Sequence, residues 1–168
     1  MVRGVQLGES FIDPGPEAAH VNTVLGPRDG SVGTAWATAL ASPTRGHQPF
    51  VAILRPGLPV KPMTLFVNKA TIENEAHGLL HWGPAQAGVA AGVADAVAEE
   101  VIRPGSVDEL ALIAAVWVNP QAEDADLVYR NNRLAVRTAL AAGAQSHPTL
   151  DEVLDARANP HNPFYPAD

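Results

Sequence analysis

Apolar and polar side chains alternate most cleanly over residues 17–27, EAAHVNTVLGP. The period of two predicts a strand in which Ala19, Val21, Thr23 and Leu25 share a core-facing side, while His20 and Asn22 share the opposite one. A similar run at 5–12 predicts a preceding strand, bent or ended at Asp13-Pro14-Gly15-Pro16, and hence an antiparallel pair. After the turn Gly26-Pro27-Arg28-Asp29-Gly30, Ser31 is placed to cap a helix running to Ala41. Residues 50–54 are short, apolar and β-prone, which predicts a buried strand. The proline-rich connection 55–62 leads to a further strand at 64–71.

Residues 73–101 carry a helical pattern divided at Gly83-Pro84, with Pro84 suited to the first position of a second segment. That segment, AQAGVAAGVADAVAEEV, holds so many small side chains that another backbone can approach it closely. Residues 109–118, ELALIAAVWV, are apolar on both faces, the pattern of a central strand covered on both sides. A helix over 122–142 places Glu123, Asp124 and Asp126 in its first turns and Arg130, Arg133 and Arg137 later, matching the helix dipole, with Gly143 as its stop. Thr149 and Glu152 have capping-box spacing and open a last short helix. The tail from Asn159, with Pro160, Pro163 and Pro166, resists regular structure. The fold class that follows is α+β, a mainly antiparallel sheet with helices packed against it.

Composition narrows the picture. The 168 residues suit one domain over the whole chain, and 46% hydrophobic against 17% charged residues excludes a disordered chain. A net charge of −7 argues against nucleic-acid and acidic-membrane partners. No run reaches the ~20 apolar residues of a membrane span. The N-terminal MVRGVQLGES lacks a signal peptide's apolar core, so a cytoplasmic location is expected. Without cysteine there is no thiol nucleophile and no disulfide.

Several residue groups invite a chemical reading. Gly26, Gly30 and Gly33 have neither dinucleotide-loop nor Walker spacing, and a plain turn is the simpler reading. Glu73, His77 and His81 recur every four residues; a metal site is conceivable, but a solvated helix face is the reading preferred. Lys69 and Thr71 share one face of a strand, where a lysine can hold an anionic or carbonyl-bearing ligand, although a lysine guarding an edge strand against aggregation is the reading preferred on this pattern alone. Gln86, if it faces inward, needs a partner that a ligand amide could supply; a solvent-facing position is equally compatible. His20 beside Asn22 is either a satisfied structural histidine or a proton-transfer group.

Taken together, LGES at 7–10, EAAHVN at 17–22, LGP at 25–27, RPGLPVKP at 55–62, NKATI at 68–72 and WGPAQAGVA at 82–90 resemble the formaldehyde-activating enzyme family. That resemblance implies a lyase condensing formaldehyde with tetrahydromethanopterin to give the methylene derivative and water. Tetrahydromethanopterin is then a co-substrate, and no metal or other cofactor is called for. The resemblance implies a catalytic proton donor at His20 and a pterin site at Asn22, Val51, Lys69, Thr71 and Gln86. It further implies a fold like the second domain of ribosomal protein S5, and a homopentamer with sites between subunits. The chain departs from the family's best-known members at Asn22, where they carry aspartate, at Val51 for leucine, and at Asn119 for histidine. Asn22 motivates a second reading, a non-catalytic homologue that binds another pterin or formaldehyde as carrier or sensor. A metal-dependent hydrolase built on Glu73, His77 and His81 is a third.

Overall fold

The computed structural model describes residues 4–13 and 15–165. Pro14 and Pro166, expected above to break regular structure, lie outside them. The elements run β1 (Gln6–Ile12), β2 (Ala19–Pro27), α1 (Ser31–Ala41), β3 (Phe50–Val51), β4 (Ile53–Arg55), β5 (Leu58–Pro59), β6 (Met63–Asn68), α2 (Glu75–Leu80), α3 (Gln86–Ala98), β7 (Leu110–Val118), α4 (Ala125–Ala144) and α5 (Leu150–Ala156). A five-stranded sheet has the order β1-β2-β7-β6-β3; only the β6–β7 pair is parallel. The architecture is α+β with a mostly antiparallel sheet, and β7 lies at its centre as its two-sided apolar pattern requires.

The sheet's two faces are treated differently. On the inner face Ala19, Val21, Leu25, Phe66, Leu112, Ala114 and Val116 are buried together with Val89, Val93, Val136 and Leu140 from α3 and α4. Close approach is the reason for so many small residues there. A Cβ on Gly88 would sit 2.4 Å from the Tyr129 carbonyl oxygen, and one on Gly92 2.5 Å from that of Arg133, so α3 and α4 touch backbone to backbone. A Cβ on Gly8 would likewise lie 1.9 Å from the Ala139 carbonyl oxygen, which lets α4 lie directly on β1. Asp95 of α3 accepts two hydrogen bonds from Arg133 of α4, at 2.6 and 2.8 Å, across the same seam. On the outer face α1 covers one end, where Val32 packs over Gly26 and Trp36 and Ala37 border a cavity with Met63 and Ala111. Among the described residues no helix covers the other end of that face.

Several expectations need correction. The strand foreseen at 50–54 is two short pieces, β3 at the sheet's edge and β4 paired with β5 apart from it; neither is buried, and only Ala52 between them is. The strand foreseen at 64–71 stops at Asn68, whose side-chain amide donates to the carbonyls of Gly46 and Ala70 and turns the chain away. Gly83-Pro84 does not divide two helices. Residues His81–Ala85 form one widened π turn joining α2 to α3, with Pro84 inside it, since such a turn tolerates a missing backbone donor. Gly30, not Ser31, occupies the cap of α1, without a side-chain bond. α4 runs past Gly143 to Ala144, because that glycine packs against the backbone of Leu7. The capping box of Thr149 and Glu152 is formed as expected.

Candidate active site

The uncovered end of the outer face is built by register. β2 pairs with β1 so that His20 faces Phe11 and Asn22 faces Glu9, and it pairs with β7 so that His20 faces Trp117 and Asn22 faces Ala115. Glu9, His20 and Asn22 therefore project from the same side of adjacent strands. The next strand across, β6, supplies Val67 opposite Ala115. Lys69 follows two residues later, its backbone N–H still donating to Val116 at 2.7 Å. The half-buried histidine ring lies 5.7 Å from the Phe11 ring. From the C-terminal tail, Phe164 reaches the Trp117 ring edge-on at 6.0 Å, beside His20.

Two polar contacts organise this patch. His20 Nε2 lies 2.9 Å from Glu9 Oε1. Lys69 Nζ donates to Asn22 Oδ1 at 2.7 Å. Burial pushes the His20 pKa below the ordinary imidazole value and the Lys69 charge adds to this; Glu9 opposes both by its charge and its hydrogen bond. Burial also brings the Lys69 ammonium down to about 8, against the pull of Glu9. Asn22 explains part of that balance, since its amide can accept a hydrogen bond but contributes no negative charge. The result is an imidazole and an amine that both reach their neutral forms near physiological pH, with one carboxylate placed to stabilise an imidazolium.

Of the residues singled out in the sequence, His20, Asn22 and Lys69 come together. Thr71 is exposed beyond the end of β6, its methyl group against Gly46. Val51 is half-buried on the edge strand, paired with Leu65. Gln86 is buried and its side-chain oxygen accepts the Ile53 N–H, so backbone, not a ligand, meets that need. It borders a separate open cleft lined by Ile53, Leu54, Trp82, Pro84 and Tyr129. Glu9 was not singled out; its signal was the alternation of β1, which puts it on the His20 side once the pairing is known. Asn119 makes a local turn after β7, its side-chain oxygen accepting the Gln121 N–H at 3.0 Å.

The stripe of Glu73, His77 and His81 is not a solvated face. Glu73 is exposed, whereas both histidines are buried. His77 Nε2 donates to the Val118 carbonyl at 3.0 Å, and His81 Nδ1 donates to the His77 carbonyl at 2.8 Å. Burial holds the pKa of His81 below its ordinary value. Only the His77 bond ties α2 to the end of β7; the His81 bond stays within its own helical run, and among the described residues His81 Nε2 is buried without a partner. Among the described residues no group of three or more histidine, aspartate or glutamate side chains is placed to hold a metal ion. No helix among them is long and apolar enough to cross a membrane.

Comparison with known proteins gives the site its context. Residues 7–165 match the family model described as formaldehyde-activating enzyme. The chain is 42% identical over 158 residues to 5,6,7,8-tetrahydromethanopterin hydro-lyase of Methanosarcina barkeri, covering 94% of this chain and 89% of the relative. It is 40% identical over 149 residues to the bifunctional enzyme Fae/Hps of Methanosphaera stadtmanae, and 38% identical over 159 residues to that of Archaeoglobus fulgidus. These alignments cover 89% and 95% of this chain but only 37% and 40% of the bifunctional relatives.

Proposed function

The chain belongs to the formaldehyde-activating enzyme family, and from that premise we propose how its outer-face residues carry out the condensation of formaldehyde with tetrahydromethanopterin, giving the methylene derivative and water. The observation that carries the proposal is the Glu9–His20 pair beside the Asn22–Lys69 pair on one uncovered sheet end.

Addition of a pterin amine to the formaldehyde carbon leaves a proton in excess on nitrogen and a negative charge on oxygen. His20, neutral at rest because its pKa is lowered, takes the nitrogen's proton. The imidazolium so formed is stabilised by Glu9 and returns that proton to the alkoxide oxygen, giving the carbinolamine; a second proton, taken up by His20 from solvent, then carries the hydroxyl off as water and leaves a methylene iminium. The second pterin amine then closes the ring and releases a proton. Formaldehyde and amines react unaided, so much of the rate gain comes from aligning the two amines around one carbon. Lys69 and Asn22 are the polar groups at hand to orient the pterin, and Val51, Thr71 and Gln86, the last through its side-chain nitrogen because its oxygen is held by Ile53, complete its site. No metal or further cofactor takes part.

Within one chain Gln86 and Val51 stand apart from His20, so the pterin site draws on two copies of the chain in a homopentamer. The open outer face, with Leu7 at 64% exposure, and the exposed apolar side chains of α5, with Leu150 at 72%, support association. Each chain acts as one domain, with the fold of the second domain of ribosomal protein S5, and works in the cytoplasm. The experiment is to follow methylene formation from formaldehyde and tetrahydromethanopterin with and without protein. Acceleration above the spontaneous rate is expected; its absence would overturn the proposal.

A further inference from the structure

We propose that Lys69 captures formaldehyde covalently at its amine and hands the one-carbon unit to the pterin; the hand-over, in which the pterin amine meets a Lys69 iminium in place of free formaldehyde, rests on the function proposed above, the capture does not.

The chain has two lysines, and they are placed very differently. Lys61 is exposed and tied to Asp108 at 2.6 Å. Lys69 is half-buried, and its close polar partner is the neutral oxygen of Asn22. A neutral amine can donate one N–H to that oxygen and keep its lone pair free for attack. The one carboxylate acting on it, Glu9, is engaged with His20. The titratable groups acting on this corner are thus Glu9 from β1 and His20 from β2. The lysine's pKa of about 8 leaves roughly a tenth of it as free amine at neutral pH, far more than an ordinary lysine near 10.4 offers.

The steps balance with no added oxidant or reductant. The Nζ lone pair forms a bond to the formaldehyde carbon, the C=O π electrons move to oxygen, and an N–H proton passes to that oxygen to give a carbinolamine. His20, charged by the proton that the Lys69 ammonium gives up on becoming the free amine, donates that proton to the hydroxyl, the C–O bond breaks, and water leaves a Lys69 iminium. The pterin amine attacks the iminium carbon and loses its proton to His20. Proton return to Nζ breaks the Lys69–carbon bond, freeing the lysine and leaving the carbon on the pterin, ready for ring closure.

The test uses the full chain with formaldehyde and sodium cyanoborohydride, without pterin, and peptide mapping to separate Lys69, Lys61 and the N-terminal amine. Methylation of Lys69 at least about tenfold faster than Lys61 at pH 7 is expected from the larger neutral fraction. Asn22→Asp should reduce that preference several-fold, because a carboxylate facing the amine favours its charged form. Equal or slower labelling of Lys69, or a preference indifferent to Asn22→Asp, overturns capture. Because no pterin is present, these outcomes are independent of whether the chain accelerates the pterin condensation. Hand-over is tested separately: protein with Lys69 already dimethylated should lose most of its acceleration, and full retention would overturn that step.

Discussion

The two faces of one sheet show how the same strands can serve opposite ends. The inner face is made of alanine, valine, leucine and glycine, and its glycines let α3, α4 and β1 approach at backbone distance. The outer face, on the alternate residues of the same strands and just past the end of β6, keeps Glu9, His20, Asn22 and Lys69 half-open at an end that no helix among the described residues covers. A strand's period of two separates the two tasks residue by residue. Substitutions on one face should change stability and leave the chemistry in the remaining folded protein; those on the other should do the reverse.

The largest effect should come from His20→Ala. Loss of the proton carrier should lower the catalysed rate by about 10²-fold, within the usual range for general acid–base groups, while the melting temperature stays near that of the wild type. A parallel fall in stability would blur the division between faces. Next comes Gly88→Val, which forces side-chain atoms against the Tyr129 carbonyl and should destabilise the chain by roughly 2–3 kcal/mol in urea titration. Protein that still folds should keep its activity per folded molecule. Glu9→Gln keeps the side chain's shape but removes the charge that stabilises the imidazolium; about a tenfold loss of rate is expected, with little change in melting temperature. The smallest effect should be Asp95→Asn at the α3–α4 seam, roughly 0.5–1 kcal/mol because the Arg133 partner is substantially exposed. Arg133 holds the Asp95 pKa below the usual carboxylate value. That contribution is therefore present above about pH 4 and lost as pH falls through the lower, folded value, so mutant and wild type should converge in acid.

The inner face was far more legible in the sequence than the outer one. Alternation in β2 and the small residues of α3 each state a packing requirement locally, and each was met; β7 is central as its apolar run predicts, but beyond Ala111 it is covered on one side only among the described residues, with Ile113, Ala115 and Trp117 half-buried on the other. The Thr149–Glu152 capping box is local as well. The cap of α1 and the π turn at Pro84 were misread locally; the other surprises involved partners distant in the chain. β6 ends early because Asn68 bonds to Gly46, twenty-two residues away. The polar stripe of His77 and His81 is buried because His77 finds the carbonyl of Val118, forty-one residues on. Gln86 meets the backbone of Ile53, thirty-three residues back. Glu9 joins His20 only through the register of β1 on β2, which the turn between them sets and the alternation of either strand does not. Pattern alone singled out His20 with Asn22 and Lys69 with Thr71 but favoured a structural role for His20 and Lys69; the family resemblance is what turned them into one site.

The most direct test of His20 as the proton carrier is the pH dependence of the catalysed rate, spontaneous reaction subtracted, in wild type and Glu9→Gln. Wild-type rate should hold through neutral pH and fall in acid, with a midpoint below the ordinary imidazole value of about 6.5, because protonated His20 cannot take the amine's proton. Removing the Glu9 charge, which raises the His20 pKa, should move that midpoint lower still. A midpoint that does not move, or a rate that rises as the imidazole becomes protonated, would contradict the account.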